Sequence, residues 1–285
     1  MILLLAHLLI SSAQANLCNF APKNDMSIPD VPHWGGGISR KEFKEVLAKI
    51  EAYYKPIIRQ KGAELIIDDN WQSSTVNASA EQEGNKWYLN MYGGLARHKL
   101  MTKDGFALVV CHELGHHLGG FPLYGDDDWA SNEGQSDYFA AMKCFRWVYE
   151  NDDHSTVLDK LTVPEIVHEK CALGFQSEKD RAMCARESMG GLQVARFLDD
   201  LRHFTEGKNA PSFEITFEEP DTTEVNRTQN GHPQAQCRLD TYFAGSICPV
   251  HYSTEFSRDE AITGACSMEN RDAYGYRPRC WYAPQ

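Results

Sequence analysis

The sequence predicts an α+β fold in which a small antiparallel sheet packs on a mainly helical core, followed by a Cys-rich C-terminal segment. Apolar residues recur at helical spacing over much of the chain. Three short runs between residues 64 and 92 are instead rich in β-forming residues or alternate between apolar and polar side chains. Four of the nine cysteines lie after residue 230, in a segment with many aromatic residues.

The first helix is predicted to begin at Ser39, because Glu42 follows three residues later as in a capping box. Strand-like runs come next, at residues 64–68, 74–80 and 87–92, with a turn at 83–85 between the last two. The following helix has Thr102 or Asp104 as its N-terminal cap and ends at a Gly-Gly pair. A further helix is expected over residues 132–149, and helical spacing continues from 162 to 201. Residues 211–230 are acidic and polar and are predicted to form a loop.

Composition and charge restrict the classes of partner. The chain has 285 residues, 42% of them hydrophobic, which is enough for one large globular domain or two small ones. Its formal net charge is −12. Nucleic acids and anionic membrane surfaces both require basic patches, so we expect neither as a partner.

The N-terminal residues 1–15 are predicted to be a secretory signal peptide. An apolar run from residue 2 to residue 10 precedes Ala13-Gln14-Ala15, a small-x-small cleavage pattern, although no Lys or Arg precedes the run. The run is too short to span a bilayer, and no other stretch is long enough. We therefore expect an exported protein, periplasmic or extracellular, without a transmembrane anchor.

Export also accounts for the cysteines, which form disulfides in an oxidising compartment. Nine is an odd number, and Cys111 is the predicted unpaired thiol because it lies in an apolar helical turn. Proximity in sequence suggests three pairs, Cys171 with Cys184, Cys237 with Cys248, and Cys266 with Cys280.

The strongest motif is His112-Glu113-Leu114-Gly115-His116. On a helix, two histidines four residues apart lie on one face and can share a metal ion. The glutamate between them is placed to take a proton from a water molecule on that metal. Zinc is the expected ion, because it accepts imidazole nitrogen and carboxylate oxygen and keeps one position open in catalytic sites.

A catalytic zinc needs a third protein ligand, and two continuations of the motif can be compared. A metzincin would have a third histidine where this chain has Pro122, which cannot bind zinc. The alternative is a glutamate on the following helix, and Glu133 is available there. Asp137 lies one turn further on the same face, where it can accept the free ring N–H of a ligand histidine.

With these residues the chain resembles the gluzincins, the zinc peptidases whose third ligand is a glutamate. Other features resemble the family of CaaX prenyl proteases and heat-shock metalloproteases, which includes soluble periplasmic members. These are Asn77-Ala78, Gly84, the run 87–92, and Gly94-Leu95 ahead of the motif. The family also carries a late His-Pro-x-x-x-x-Arg segment, which here begins at His232 and ends at Arg238.

The resemblance implies a secreted zinc-dependent endopeptidase that binds one zinc ion and cleaves protein or peptide substrates. Glu113 would be the general base, and His232 would stabilise the oxyanion or gate the open zinc position. Together with the composition along the chain, this predicts a signal peptide at 1–15, a gluzincin-like metallopeptidase domain at 16–205, and a segment at 206–285 whose acidic loop and disulfide-rich tail complete that domain. Two alternatives stay open from the residues alone: a non-catalytic zinc-bearing binding module, and a zinc hydrolase acting on a non-peptide amide.

Overall fold

The computed structural model describes residues 18–31, 36–124, 129–207 and 214–284. The predicted signal peptide lies outside these residues. The helices of the described part are α1 (Arg40–Gln60), α2 (Gly93–Ala96), α3 (Lys103–Leu118), α4 (Glu133–Phe139), α5 (Arg146–Tyr149), α6 (His154–Leu158), α7 (Glu165–Gly174), α8 (Glu178–Glu206) and α9 (Ala235–Ile247). The strands are β1 (Cys18–Asn19), β2 (Glu64–Asn70), β3 (Ala78–Glu83) and β4 (Lys86–Tyr92). The predicted α+β class is confirmed.

The helix α3 lies at the centre of the molecule. Every residue from 105 to 117 is buried, and α1, α4, α8, β3 and β4 all pack against it. Such a helix has no polar face to give to solvent, so its histidines and glutamate are enclosed together with its apolar side chains. Its N-terminus is capped by Thr102, whose side chain accepts a hydrogen bond from the Gly105 amide at 3.1 Å.

The sheet is mixed, and the prediction of an antiparallel sheet is wrong for one of its strand pairs. The strand order is β1-β3-β4-β2. β3 and β4 form the predicted hairpin, whose turn contains Gly84 at a φ of 59°. β2 pairs with the other side of β4 in parallel register, from Glu64 opposite Lys86 to Asn70 opposite Tyr92. The sequence runs mark the strands but do not indicate whether β2 lies beside β3 or beside β4. β2 runs in the same direction as β4, so its place beside β4 makes that pair parallel.

The predicted helix over residues 132–149 is present as one continuous helical stretch with a change of winding. α4 passes into a π-helical segment, Ala140–Phe145, and then into α5. The π-helical segment packs against α3 and α9. Side-chain periodicity does not distinguish a short π-helical insertion from an α-helix, so this change of winding was not predicted.

Four disulfides join eight of the nine cysteines, which confirms disulfide bonding and the pair Cys171–Cys184. The prediction that Cys111 is unpaired is wrong, because its side chain faces the π-helical segment and bonds to Cys144. The two remaining suggested pairs are also wrong. Cys237 and Cys248 stand at opposite ends of α9, about 16 Å apart at 1.5 Å per residue, which is too far for a disulfide. The remaining bonds are Cys237–Cys280 and Cys248–Cys266.

Among the described residues, no helix has both the length and the apolar character needed to cross a bilayer.

Candidate metal centre

Helix α3 brings His112 and His116 together. Their ring centroids are 4.8 Å apart and both side chains are completely buried. The Nε2 atoms of both rings are buried without a hydrogen-bond partner. Buried polar atoms are nearly always partnered, so two orphaned nitrogens on adjacent rings indicate a site for a ligand.

Glu133 completes this cluster from the first position of α4. Its Oε2 lies 3.3 Å from Nε2 of His112, and its Oε1 lies 3.7 Å from Nε2 of His116. Two ligands held 2.0–2.1 Å from a tetrahedral zinc ion would be about 3.3 Å apart. One ligand atom from each of the three residues lies within 4.8 Å of the other two, which is close enough for the three side chains to share one metal ion.

The position of Glu133 depends on close packing of α4 against its neighbours. A Cβ atom added to Gly115 of α3 would lie 2.8 Å from Cα of Ser136, so the absence of a side chain there allows the two helices to touch. On another face of α4, Gly134 is covered by the Trp281 ring of the C-terminal segment. The Cys237–Cys280 disulfide holds that segment to α9. The Cys-rich tail therefore supports the helix that carries Glu133.

The second nitrogen of each histidine is held by a specific acceptor. Nδ1 of His112 donates to Oδ1 of Asp137 at 2.7 Å, and Nδ1 of His116 donates to the Ser131 carbonyl at 2.8 Å. Both bonds place the ring proton on Nδ1, which leaves the Nε2 lone pair for a metal. The Asp137 contact is the one that the sequence predicted. The contact with Ser131 was not foreseen, since a main-chain carbonyl has no sequence signal.

Asp137 is in turn paired with Arg238 of α9. The guanidinium donates from Nε to Oδ2 and from Nη2 to Oδ1 of the carboxylate, both at 2.7 Å, and both side chains are buried. Burial alone would raise the pKa of Asp137, but Arg238 and His112 hold it far below its usual range. Asp137 is therefore a permanent anion that orients His112.

Glu113 is completely buried, and neither of its carboxylate oxygens has a hydrogen-bond partner among the described residues. Burial raises the pKa of Glu113 to about 8, with Glu133 acting in the same direction and His112 against it. A buried carboxyl whose pKa lies near neutrality has the property required of a general base.

The ligand groups have contrasting proton affinities. Burial lowers the pKa of His112, but Asp137 outweighs this and raises it to about 9. Burial lowers the pKa of His116 to about 4. The pKa of Glu133, which burial would raise, is lowered to about 2 by His232, His112 and His116. Glu133 thus gives the cluster a negative charge that favours a cation.

His232 lies beside the cluster. Its Nε2 is 3.6 Å from Oε2 of Glu133 and donates a hydrogen bond to the Asn19 carbonyl at 2.7 Å. The late His-Pro segment therefore does approach the histidines of α3. The role assigned to His232 stays a prediction.

The N-terminal strand covers this region, which the sequence did not indicate. The Phe20 ring meets His112 edge-on at 5.1 Å, and the Phe20 carbonyl accepts a hydrogen bond from Nη1 of Arg238 at 2.7 Å. The side chains of His112, Glu113, His116 and Glu133 are at most 1% exposed. In this arrangement the cluster is closed to solvent.

The chemistry of the donor set fits zinc. Two neutral imidazoles and one carboxylate are the ligands of many catalytic zinc sites, whereas structural zinc sites are mostly Cys-rich. A second group of potential ligands, Asp221 with Cys237 and Cys280, does not compete, because the two cysteines are joined in a disulfide.

Comparisons of the chain with protein-family models, with curated proteins and with solved structures each gave no match. The interpretation of the site therefore depends on its own geometry.

Proposed function

We propose that this chain is an exported zinc-dependent endopeptidase of the gluzincin type, with His112, His116 and Glu133 as the zinc ligands. The observation that carries the proposal is the pair of orphaned Nε2 atoms facing the Glu133 carboxylate at metal-ligand spacing. Four disulfides support export to a periplasmic or extracellular location.

A zinc ion held by His112, His116 and Glu133 would supply a Lewis acid and would lower the pKa of a water molecule. Glu113 accepts the proton of the attacking water and returns it to the leaving amine. Asp137 keeps the His112 ring in the tautomer that presents Nε2. His232 has an Nε2–H that can donate to the developing oxyanion once it releases the Asn19 carbonyl.

The burial of the cluster sets a condition on this mechanism. A peptide can reach Glu113 only if the chain around Asn19 and Phe20 moves away from His232 and His112. The same burial favours a second candidate function, a non-catalytic module in which zinc is enclosed permanently.

The test combines zinc analysis with product mapping on a mixture of peptides and proteins. We expect about one zinc per chain and cleavage of peptide bonds by the wild type. Glu113→Gln should keep its zinc and lose cleavage by a factor of at least about 100. The matched control is Glu169→Gln on the exposed face of α7, which should leave both unchanged.

Zinc without any cleavage would support the enclosed module, and full activity in Glu113→Gln would exclude Glu113 as the base. Products cut only at non-peptide amides would identify the remaining alternative, a hydrolase of another amide.

A further inference from the structure

A cavity of about 570 Å³ lies outside the metal cluster. It is lined by the C-terminal end of α1, the end of α3, the π-helical segment and the loop 252–258. None of the proposed zinc ligands lines it, and neither does Glu113. Its volume is in the range of pockets that bind small organic molecules.

Aromatic rings form much of its wall. The His117 ring is stacked on Trp87 with a centroid distance of 5.0 Å and an interplanar angle of 4°. The centroid of the Trp129 ring also lies 5.0 Å from that of His117, with the two rings tilted by 32°. Trp147 stacks on Tyr252 at 5.8 Å. Three indoles around one cavity provide flat apolar surfaces suited to a planar ring.

Two buried polar atoms at this cavity have no partner. The Tyr54 hydroxyl and Nδ1 of His117 are both without a hydrogen bond, although Tyr54 is 2% and His117 3% exposed. Nε2 of His117 lies 3.3 Å from the Tyr88 carbonyl and must donate to it. Nδ1 of the neutral ring is therefore an acceptor for which the described residues offer no donor.

Lys143 brings a buried amine to the same cavity. Its side chain is 3% exposed, and its amine makes one hydrogen bond, to the His251 carbonyl at 3.3 Å, and lies 4.7 Å from the centre of the Phe256 ring. Within the described part of the chain, no carboxylate lies within ion-pair distance of it. Burial and the nearby Arg146 and Arg277 lower its pKa to about 7. Buried lysines are usually paired with an anion, and the Lys143 amine lacks such a partner among the described residues.

We propose that this cavity binds an aromatic carboxylate, whose ring lies among the indoles and whose carboxylate pairs with Lys143. The unpartnered Nδ1 of His117 favours a ring that carries an N–H or O–H. The uncompensated amine favours an anion over a neutral sugar, which aromatic walls alone would also accept. The same chemistry is offered by a free small molecule and by a peptide that ends in an aromatic residue.

Titration calorimetry of the full chain tests the proposal with indole-3-acetate and its neutral counterpart indole-3-acetamide. We expect indole-3-acetate to bind with a Kd below about 1 mM and the amide to bind at least about tenfold more weakly, because only the acid can form the ion pair. A peptide amidated at its C-terminus and the same peptide with a free C-terminal tryptophan distinguish the two sources of the carboxylate.

The variant Lys143→Met should lose the preference for the acid over the amide, and its circular dichroism shows whether it has folded. The control Lys170→Met removes an exposed lysine of α7 and should leave binding unchanged. If Lys143→Met does not fold, Trp147→Leu takes its place and should weaken binding of both probes. Equal affinity of the wild type for acid and amide, a preference for the acid that survives Lys143→Met, unweakened binding in Trp147→Leu, or no binding of either acid at about 5 mM would overturn the proposal.

Discussion

Asp137 is the residue whose replacement should be most informative, because it connects the metal ligands to the core. It accepts three charge-assisted hydrogen bonds, one from His112 and two from Arg238, each of 2.7 Å. Asparagine has nearly the same shape but no charge and one carbonyl acceptor. Its amide N–H groups would face the donors of Arg238, so at least one hydrogen bond becomes a donor–donor contact.

Two losses follow from Asp137→Asn. Removing one partner of a buried ion pair costs about 3–5 kcal/mol in the free energy of unfolding, since Arg238 would be left as a buried, uncompensated charge. Losing the anion that orients a metal-binding histidine lowers metal affinity by about 10- to 100-fold. The first loss is measured by urea unfolding in the presence of a chelator, and the second by zinc competition against a chelator of known affinity.

The control is Asp199→Asn on α8. Asp199 accepts from Nη2 of Arg202 at 2.8 Å, but the two side chains are 16% and 18% exposed. Partly exposed pairs contribute less than about 1 kcal/mol, so this variant should lose little stability and bind zinc as the wild type does. The reasoning is refuted if Asp137→Asn is no more destabilising than Asp199→Asn, or if its zinc affinity is unchanged.

Three further outcomes are expected. Replacing both Cys111 and Cys144 by alanine should lower the free energy of unfolding by about 3–4 kcal/mol for the 33-residue separation, measured in urea without reductant. Gly115→Ala should lower stability by about 1–3 kcal/mol and weaken zinc binding, because the added methyl separates α3 from Ser136; Gly231→Ala, with open space around it, is the control. Burial raises the pKa of Glu187 to about 8 despite the nearby Arg146. The folded state therefore holds this proton more tightly than the unfolded state, and stability from this group that is present below about pH 4.5 is lost as the pH rises towards 8. The stability difference between Glu187→Gln and the wild type should consequently shift in favour of the variant from pH 5 to pH 8, and an unchanged difference would contradict the pKa.

The arrangement of the candidate ligands was predictable because it is local. Helical periodicity alone fixes the spacing of His112 and His116, and again that of Glu133 and Asp137. The contact between α3 and α4 was also predictable from the sequence. The motif needs a third ligand, Pro122 cannot be the histidine of a metzincin, and the alternative, Glu133, lies on the next helix. The short distance between α3 and α4 depends on Gly115. Its role could not be predicted, because only the structure shows that Ser136 packs against it.

The cysteine pairs were predictable only where the two partners are near in sequence and compatible with one local structure. Cys171 and Cys184 are joined across the short connection between α7 and α8. Cys237 is rigidly separated from Cys248 by α9, and its partner, Cys280, is 43 residues away. Cys111 is bonded to Cys144, and that partner is brought beside it by the packing of the π-helical segment against α3, which the sequence does not indicate.

The sequence motif predicts an accessible metal site, but the tertiary structure covers the cluster. The motif specifies which side chains can bind zinc and leaves one coordination position open for water or substrate. In the structure, however, Phe20 packs on His112, and the Asn19 carbonyl accepts the Nε2–H hydrogen bond of His232. Releasing Asn19 and Phe20 breaks at least three hydrogen bonds, from His232 to the Asn19 carbonyl, from Arg238 to the Phe20 carbonyl, and from the Phe20 amide to the Ala78 carbonyl. At about 1 kcal/mol for each hydrogen bond and about 2–3 for exposing a phenylalanine, opening costs about 5–6 kcal/mol. Unaided, such a cost leaves roughly one molecule in ten thousand open. An active peptidase with this structure would therefore need its substrate to replace the lost main-chain bonds, for example by pairing with β3 as Cys18 and Asn19 do now.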